Sequence, residues 1–276
     1  MDWNWKNTAL MGAGTKKAPI IRAARLDPCC SYYLYLPEGF RPETGHSCRI
    51  AVVVHGTARG AKELKDRFIK FADETNTLIL APLFPAGIID REDIHNYKFI
   101  KFHHMRFDEI LLDMVDEVRE TFDITEERFL LYGFSGGGQF VHRMFYLHPE
   151  RILAVGCGAP GRITYLDFEE DWYAGVRDFE EQFKISLRLE QLKTVPVLLL
   201  IGENDTEAID YSNDATFLEK AGKYGKNRVE GMESLYRNYQ EYGLNVRMIK
   251  VPGVRHEGMK MIPYAEAFFE EILQKQ

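Results

Sequence analysis

Residues 128–139 read Arg128-Phe-Leu-Leu-Tyr-Gly133-Phe-Ser135-Gly-Gly137-Gly-Gln139. A short apolar run enters a glycine-rich turn with one serine at its centre. The pattern is that of a strand, a sharp elbow and a helix, which lifts a serine hydroxyl above the end of a parallel sheet. Gly133 and Gly137 sit two residues before and after Ser135, where so tight a turn has no room for a Cβ. A helix begins at Gly136, so its unpaired amides and positive end face any anion formed on Ser135. A Gly-x-Ser-x-Gly string alone is weakly specific. The apolar strand before it and the amphipathic run Gln139–Leu147 behind it are what identify Ser135 as a nucleophile.

A serine nucleophile needs a base, and the base needs an orienting partner. The continuous apolar run Val195–Ile201 reads as a strand buried on both faces, and it ends in Gly202-Glu203-Asn204-Asp205. A later period-two run, Asn245–Val251, leads into Pro252-Gly-Val-Arg-His256-Glu-Gly258, which holds a histidine in a glycine-flanked loop. The chain order Ser135, Asp205, His256 is the order of the α/β-hydrolases and differs from the chymotrypsin and subtilisin orders. Asp205 competes for the acid role with Glu203 and Asp210, which follow the same strand. An ordinary loop histidine and an Asx-turn aspartate are the structural alternatives for His256 and Asp205.

These motifs together resemble the α/β-hydrolase superfamily over roughly residues 30–275. The stretch Asp123-Ile-Thr-Glu-Glu-Arg128, the elbow, and His148-Pro-Glu-Arg-Ile152 resemble the branch of polyhydroxyalkanoate depolymerases and feruloyl esterases. The resemblance implies a doubly wound, mostly parallel sheet with helices on both faces and a small cap insert. It also favours Asp205, a few residues past its strand and after a glycine, as the acid. Gly136 supplies one oxyanion-hole amide in this reading. The second comes from the loop after Ile50–Val54, His55-Gly56-Thr57-Ala58, with Thr57 the first candidate and Ala58 the next. His55 reads as a loop organiser.

The remaining chain alternates between periods. Strands are expected at Ser31–Leu36, Arg49–Val54, Thr77–Ala81 (ending at Pro82), Phe129–Tyr132, Ile152–Cys157, Val195–Ile201 and Val246–Val251. Helices are expected at Ala61–Glu74, Arg106–Thr121, Ala208–Tyr224, Val229–Glu241 and Pro263–Leu273. This order predicts a single domain over residues 1–276, with a cap insert at 161–193 between two sheet strands. Aromatic residues gather in 83–104 and in the insert, from which Tyr165 and Trp172 are the candidate substrate-binding walls.

Composition excludes several other classes. With 45% hydrophobic and 28% charged residues the chain is an ordinary globular protein. A net charge of −7 offers no broad basic surface for nucleic acid or anionic membrane. No run reaches the length of a membrane span, and Met1-Asp-Trp-Asn-Trp-Lys-Asn7 lacks an apolar leader core, so the expectation is a cytoplasmic protein. The four cysteines, Cys29, Cys30, Cys48 and Cys157, carry neither metal-binding nor evident disulfide spacing. His103, His104 and Asp108 form no metal motif. The expected partner is a small ester-type molecule, with no metal and no organic cofactor, and a homodimer stays open. Ester or thioester hydrolysis through an acyl-enzyme is the leading reading. An amidase or small-substrate peptidase, or a ligand receptor on a hydrolase scaffold, are its alternatives.

Overall fold

The computed structural model describes residues 21–212 and 214–275, so the N-terminal reading of Met1–Asn7 lies outside the described residues. Among the described residues eight strands form one sheet: β1 Ile21–Ala23, β2 Ser31–Tyr35, β3 Arg49–Val54, β4 Thr77–Leu83, β5 Phe129–Phe134, β6 Ile152–Gly158, β7 Val197–Gly202 and β8 Val246–Val251. Their spatial order is β1-β2-β4-β3-β5-β6-β7-β8. β1 and β2 run antiparallel at one edge, and all pairs from β4 to β8 are parallel. The residues dictate this arrangement. β3, β5, β6 and β7 are apolar at nearly every position, so they suit the centre of a sheet covered on both faces. β8 alternates and is only partly buried, which fits an edge.

Helices α1 Ala61–Arg67, α2 Ile69–Thr75, α3 Phe107–Phe122, α4 Gly136–Leu147, α5 Phe179–Phe183, α6 Leu189–Leu192, α7 Ala215–Tyr224, α8 Arg228–Glu241 and α9 Ile262–Leu273 follow the strands. Two apolar clusters result, one on each sheet face. Phe107, Ile110, Met114 and Val118 of α3, the buried side of α4, and Leu235 and Tyr239 of α8 fill one. Phe68 and Phe71 join Phe268 and Phe269 of α9 in the other. α4 carries no exposed residue, so it is the central helix against which both the sheet and the loops settle.

Three boundaries differ from the sequence reading. The expected helix Ala61–Glu74 is broken at Phe68, whose amide bonds back only three residues to Lys65 O, tightening the turn. β4 runs through Pro82 to Leu83 instead of ending at Pro82. Its pairing with β3 stops at Leu80, while pairing with β2 continues to Leu83, so the missing proline N–H leaves no gap on the β3 side. The helix expected from Ala208 begins at Ala215. Asp210 closes a turn onto the Ser212 amide, and Asp214 caps the helix by accepting from the Phe217 amide.

Between β6 and β7 the chain makes the excursion over residues 161–193, which carries α5 and α6. Lys223 of α7 bridges Asp167 and Glu170 of this segment, and Tyr224 Oη donates to Asp167 at 2.5 Å. No helix of the described residues is long and apolar enough to cross a membrane.

Candidate active site

β5 delivers its last residues into the elbow. Ser135 has φ 57° and ψ −113°, a left-handed backbone that a side chain normally avoids. The turn leaves no alternative: a Cβ on Gly133 would collide with the Gly137 carbonyl, and one on Gly137 with the Val54 carbonyl. Ser135 N donates to Gly158 O at 2.8 Å, and Gln139 N donates to Ser135 O at 3.0 Å, opening α4. The serine is thereby pinned to β6 on one side and to its own helix on the other.

Two loops after strands meet the elbow. Gly202 lies so close to the Val254 and Arg255 carbonyls that no Cβ fits there, and Asn204 N donates to Val254 O at 2.8 Å. This stitching brings Asp205, 2% exposed, to His256: Nδ1 of the histidine is 2.6 Å from Asp205 Oδ2. Nε2 of His256 is 3.0 Å from Ser135 Oγ. The Phe134 ring lies 4.8 Å from the imidazole, and Gly258 makes room for that ring. The competing acids point elsewhere. Glu203 accepts from the Gly253 amide and Asp210 from the Ser212 amide.

The loop after β3 lies beside the elbow. Thr57 N is 3.0 Å from where a Gly136 Cβ would stand, so the Thr57 amide adjoins the residue after the serine. Ala58 is on the exposed outer side of the turn closed by Arg59 N to Gly56 O. His55 is buried and organises this loop. Its Nδ1 donates to Gly56 O at 2.7 Å, and its Nε2 accepts from Phe84 N at 3.1 Å, which fixes a neutral tautomer. Burial pushes its pKa down to about 4.

A cationic wall backs the elbow, and no sequence motif marks it. Arg143 of α4 is fully buried. It donates to Thr164 Oγ1, Lys98 O, Gln139 O and Arg162 O, and stacks over Phe99. Lys98 is 1% exposed, touches the space over Gly136, and has Nζ 2.9 Å from His95 Nδ1. Arg59 donates to the carbonyls of Phe84, Thr57 and Ile94. Among the described residues none of these three cations has an ion pair with a carboxylate, whereas Arg162 pairs with Asp214 and Arg228 with Asp205. Burial, then the neighbouring Arg59 and Arg162, lowers Lys98 to about 7. Burial, then Lys98, lowers His95 to about 4, so His95 is neutral and accepts from Lys98.

The two proposed wall residues separate. Tyr165 stacks on Tyr224 at 3.9 Å, donates to Gly231 O at 3.1 Å, and lines a small, partly open pocket. Trp172 is absent from that lining. It packs edge-on against Phe179 and Phe183 and over Arg143, fastening the 161–193 segment to the body. Of the histidine pair and Asp108 considered for a metal, Asp108 is instead held by Arg106 and His148.

No family model matches the chain, and no curated relative matches it. Solved structures do resemble it. A poly(3-hydroxybutyrate) depolymerase from Bordetella parapertussis superposes with a TM-score of 0.73 at 23% identity, covering 97% of this chain and 95% of that one. Poly(aspartic acid) hydrolase-1 from Sphingomonas sp. KT-1 gives 0.69 at 22% identity, over 86% and 92%. An S-formylglutathione hydrolase from Agrobacterium tumefaciens gives 0.61 at 11% identity, over 93% and 94%. Together with the strand order and the elbow, these likenesses establish that the chain has the α/β-hydrolase fold.

Proposed function

We propose that the protein is a serine hydrolase that cleaves a carboxylic ester through an acyl-enzyme. The observation that carries this reading is the relay of Asp205 Oδ2 to His256 Nδ1 at 2.6 Å and His256 Nε2 to Ser135 Oγ at 3.0 Å, mounted on a strained elbow. His256 takes the proton as Ser135 Oγ attacks the carbonyl carbon, and Asp205 holds the imidazole in the tautomer with hydrogen on Nδ1. The amides of Gly136 and Thr57 receive the oxyanion, a contribution of about 3 kcal/mol for each such donor. His256 then protonates the departing alkoxide. Water, activated by the same histidine, attacks the acyl-serine and releases the acid and the free serine. The three solved structures above carry hydrolase or depolymerase names, which agrees with the reading. A thioester or amide carbonyl meets the same groups; of the three, the amide has the poorest leaving group.

The test is turnover on a panel of aryl esters of graded acyl length, with matching thioesters and amides, together with labelling by a fluorophosphonate. Multiple turnovers and stoichiometric labelling are expected, and Ser135→Ala loses both while its melting temperature stays within a few degrees. Labelling that persists in that variant, or failure to exceed one turnover on every member, overturns the proposal. The second outcome with tight small-molecule binding favours a receptor.

A further inference from the structure

Asp205 is a buried carboxylate, its side chain 1% exposed, and two side chains reach it among the described residues. His256 Nδ1 meets Oδ2 at 2.6 Å, and Arg228 Nη1 meets Oδ1 at 3.4 Å. The two partners differ in kind. His256 must be neutral to accept the Ser135 proton, so before that transfer it brings no full charge to the acid. A carboxylate taken out of water is costly unless a cation compensates it. Arg228 is the cation in that place. Its side chain makes no other hydrogen bond among the described residues, and its Nε is buried with none.

The backbone around Arg228 is assembled to present it. The loop after β7, having delivered Asp205, runs back along residues 226 and 227. Ala208 bridges Asn227 antiparallel, and Ile209 N donates to Lys226 O at 3.4 Å. α8 then starts at Arg228 behind a reciprocal cap. Asn227 Oδ1 accepts from Glu230 N at 3.0 Å, and the Glu230 carboxylate accepts from the Lys226 amide and from Asn227 Nδ2, each at 2.9 Å. The first turn of α8 is thereby fixed to the loop that carries the acid.

The other charges around the relay are engaged elsewhere. On the histidine loop Arg255 pairs with Glu207 and Lys260 with Glu257, while Glu203 of the acid loop accepts from the Gly253 amide. Beside the start of α8, Arg162 pairs with Asp214, and Tyr211 donates to Gly161 O. From β5 and the elbow, the imidazole meets the Phe134 ring and Ser135.

We propose that Arg228 is a positioning residue of the relay, holding the second oxygen of Asp205 and supplying the charge that keeps this buried acid ionised while His256 is neutral. Without that cation the negative charge of Asp205 acts on the imidazole alone, and imidazolium persists to higher pH. The catalytic consequence rests on the hydrolase reading above; the coupling of the three side chains does not.

The primary measurement is an NMR titration of the His256 ring in the full chain, its signal assigned by its loss in His256→Gln. The pH profile of kcat/KM on the best aryl ester is recorded beside it. Arg228→Gln is expected to move the His256 midpoint, and with it the acid limb of kcat/KM, upward by about one pH unit. At the plateau kcat falls several-fold and KM changes less than twofold. Arg228→Lys keeps the charge and holds the midpoint nearer to that of the unmodified protein. Arg228→Met gives the upward shift where the glutamine variant does not fold. A helix-start residue with a purely structural role would lower stability and leave the midpoint in place. A midpoint that stays or falls in a folded Arg228→Gln, or one that rises as far in Arg228→Lys, overturns the proposal. If esters are turned over and the midpoint stays, the role of Arg228 falls alone. If no ester is turned over but the midpoint rises, the hydrolase reading falls and the coupling of Arg228 to the relay stands.

Discussion

Each side chain at the centre of the cleft can be tested against a neighbour of the same type. Asp205 and Glu203 are separated by one residue, yet only Asp205 reaches His256, while Glu203 accepts from a backbone amide of the Pro252–His256 loop. Asp205→Asn preserves shape but offers a donor where an acceptor is needed, which favours the wrong imidazole tautomer. A fall in kcat on the order of 10⁴ is expected, measured with the best aryl ester of the panel. Glu203→Gln and Asp210→Asn keep their hydrogen bonds to backbone amides and lower kcat less than tenfold. A large loss in either, with Asp205→Asn unaffected, would mean that the acid is a different residue.

At the scale of elements, the site is a property of three strand ends and the helix that starts at the serine. The elbow works because α4 crowds against β3: Gly137 lies against the carbonyls of Val54 and His55, and Gly138 against that of Gly158. Gly137→Ala places a methyl group against backbone on both sides, where no rotamer gives relief. An expected loss of about 1–3 kcal/mol in the free energy of unfolding, read from urea melts, follows from overpacking of this kind. A kcat loss larger than the stability loss should accompany it, because the displacement falls on Ser135 and on the Gly136 amide. A variant with unchanged kcat would show that the elbow tolerates more room than its contacts imply. The 161–193 segment is tied to the body at Arg143, which holds Arg162 O, Thr164 Oγ1 and Lys98 O together. That arginine connects the insert, the 83–104 loop and α4 in one buried node.

Over the whole molecule, buried titratable groups set the dependence of stability on pH. His55 is held neutral, with its pKa moved from 6.5 to about 4 by burial. The unfolded chain binds a proton below 6.5 that the native state refuses until about 4, so stability is lost as pH falls across that interval. For His55 the loss is about 3 kcal/mol, and His142, lowered well below its usual value by burial, acts in the same direction. Lys98 works higher on the scale. The native state releases its proton near 7 and the unfolded chain near 10.5, so this group adds stability as pH rises between those values. Glu266, raised by burial from 4.5 to about 7, acts in the opposite direction between those values. Urea melts from pH 7 to pH 9 should show a rising free energy of unfolding that Lys98→Met flattens, and His55→Gln should lose stability-against-pH slope between pH 4 and 6.5; an unchanged slope in that variant would contradict the buried neutral state of His55.

What the sequence determined by itself was local and periodic. Gly133, Ser135 and Gly137 demand an elbow because their backbone geometry excludes other residues, and β3, β5, β6 and β7 are apolar throughout because a covered sheet requires it. Hence the sheet, the central helix and the three loops carrying Ser135, Asp205 and His256 could be read in advance. Helix starts shifted where short polar residues captured backbone amides, as at Asp210 and Asp214. The contacts of Lys98, Arg143 and Arg228 were decided by tertiary structure alone. A basic residue in a helix or loop looks like any solvated charge in sequence, and only packing reveals that Lys98 and Arg143 are buried with no ion pair to a carboxylate among the described residues. Trp172 shows the same limit: its ring could equally have faced a substrate or the core, and Phe179, Phe183 and Arg143 are what fixed it in the packing of the insert. The side to which a long side chain turns depends on what lies across the fold from it, and the neighbours along the chain do not specify that.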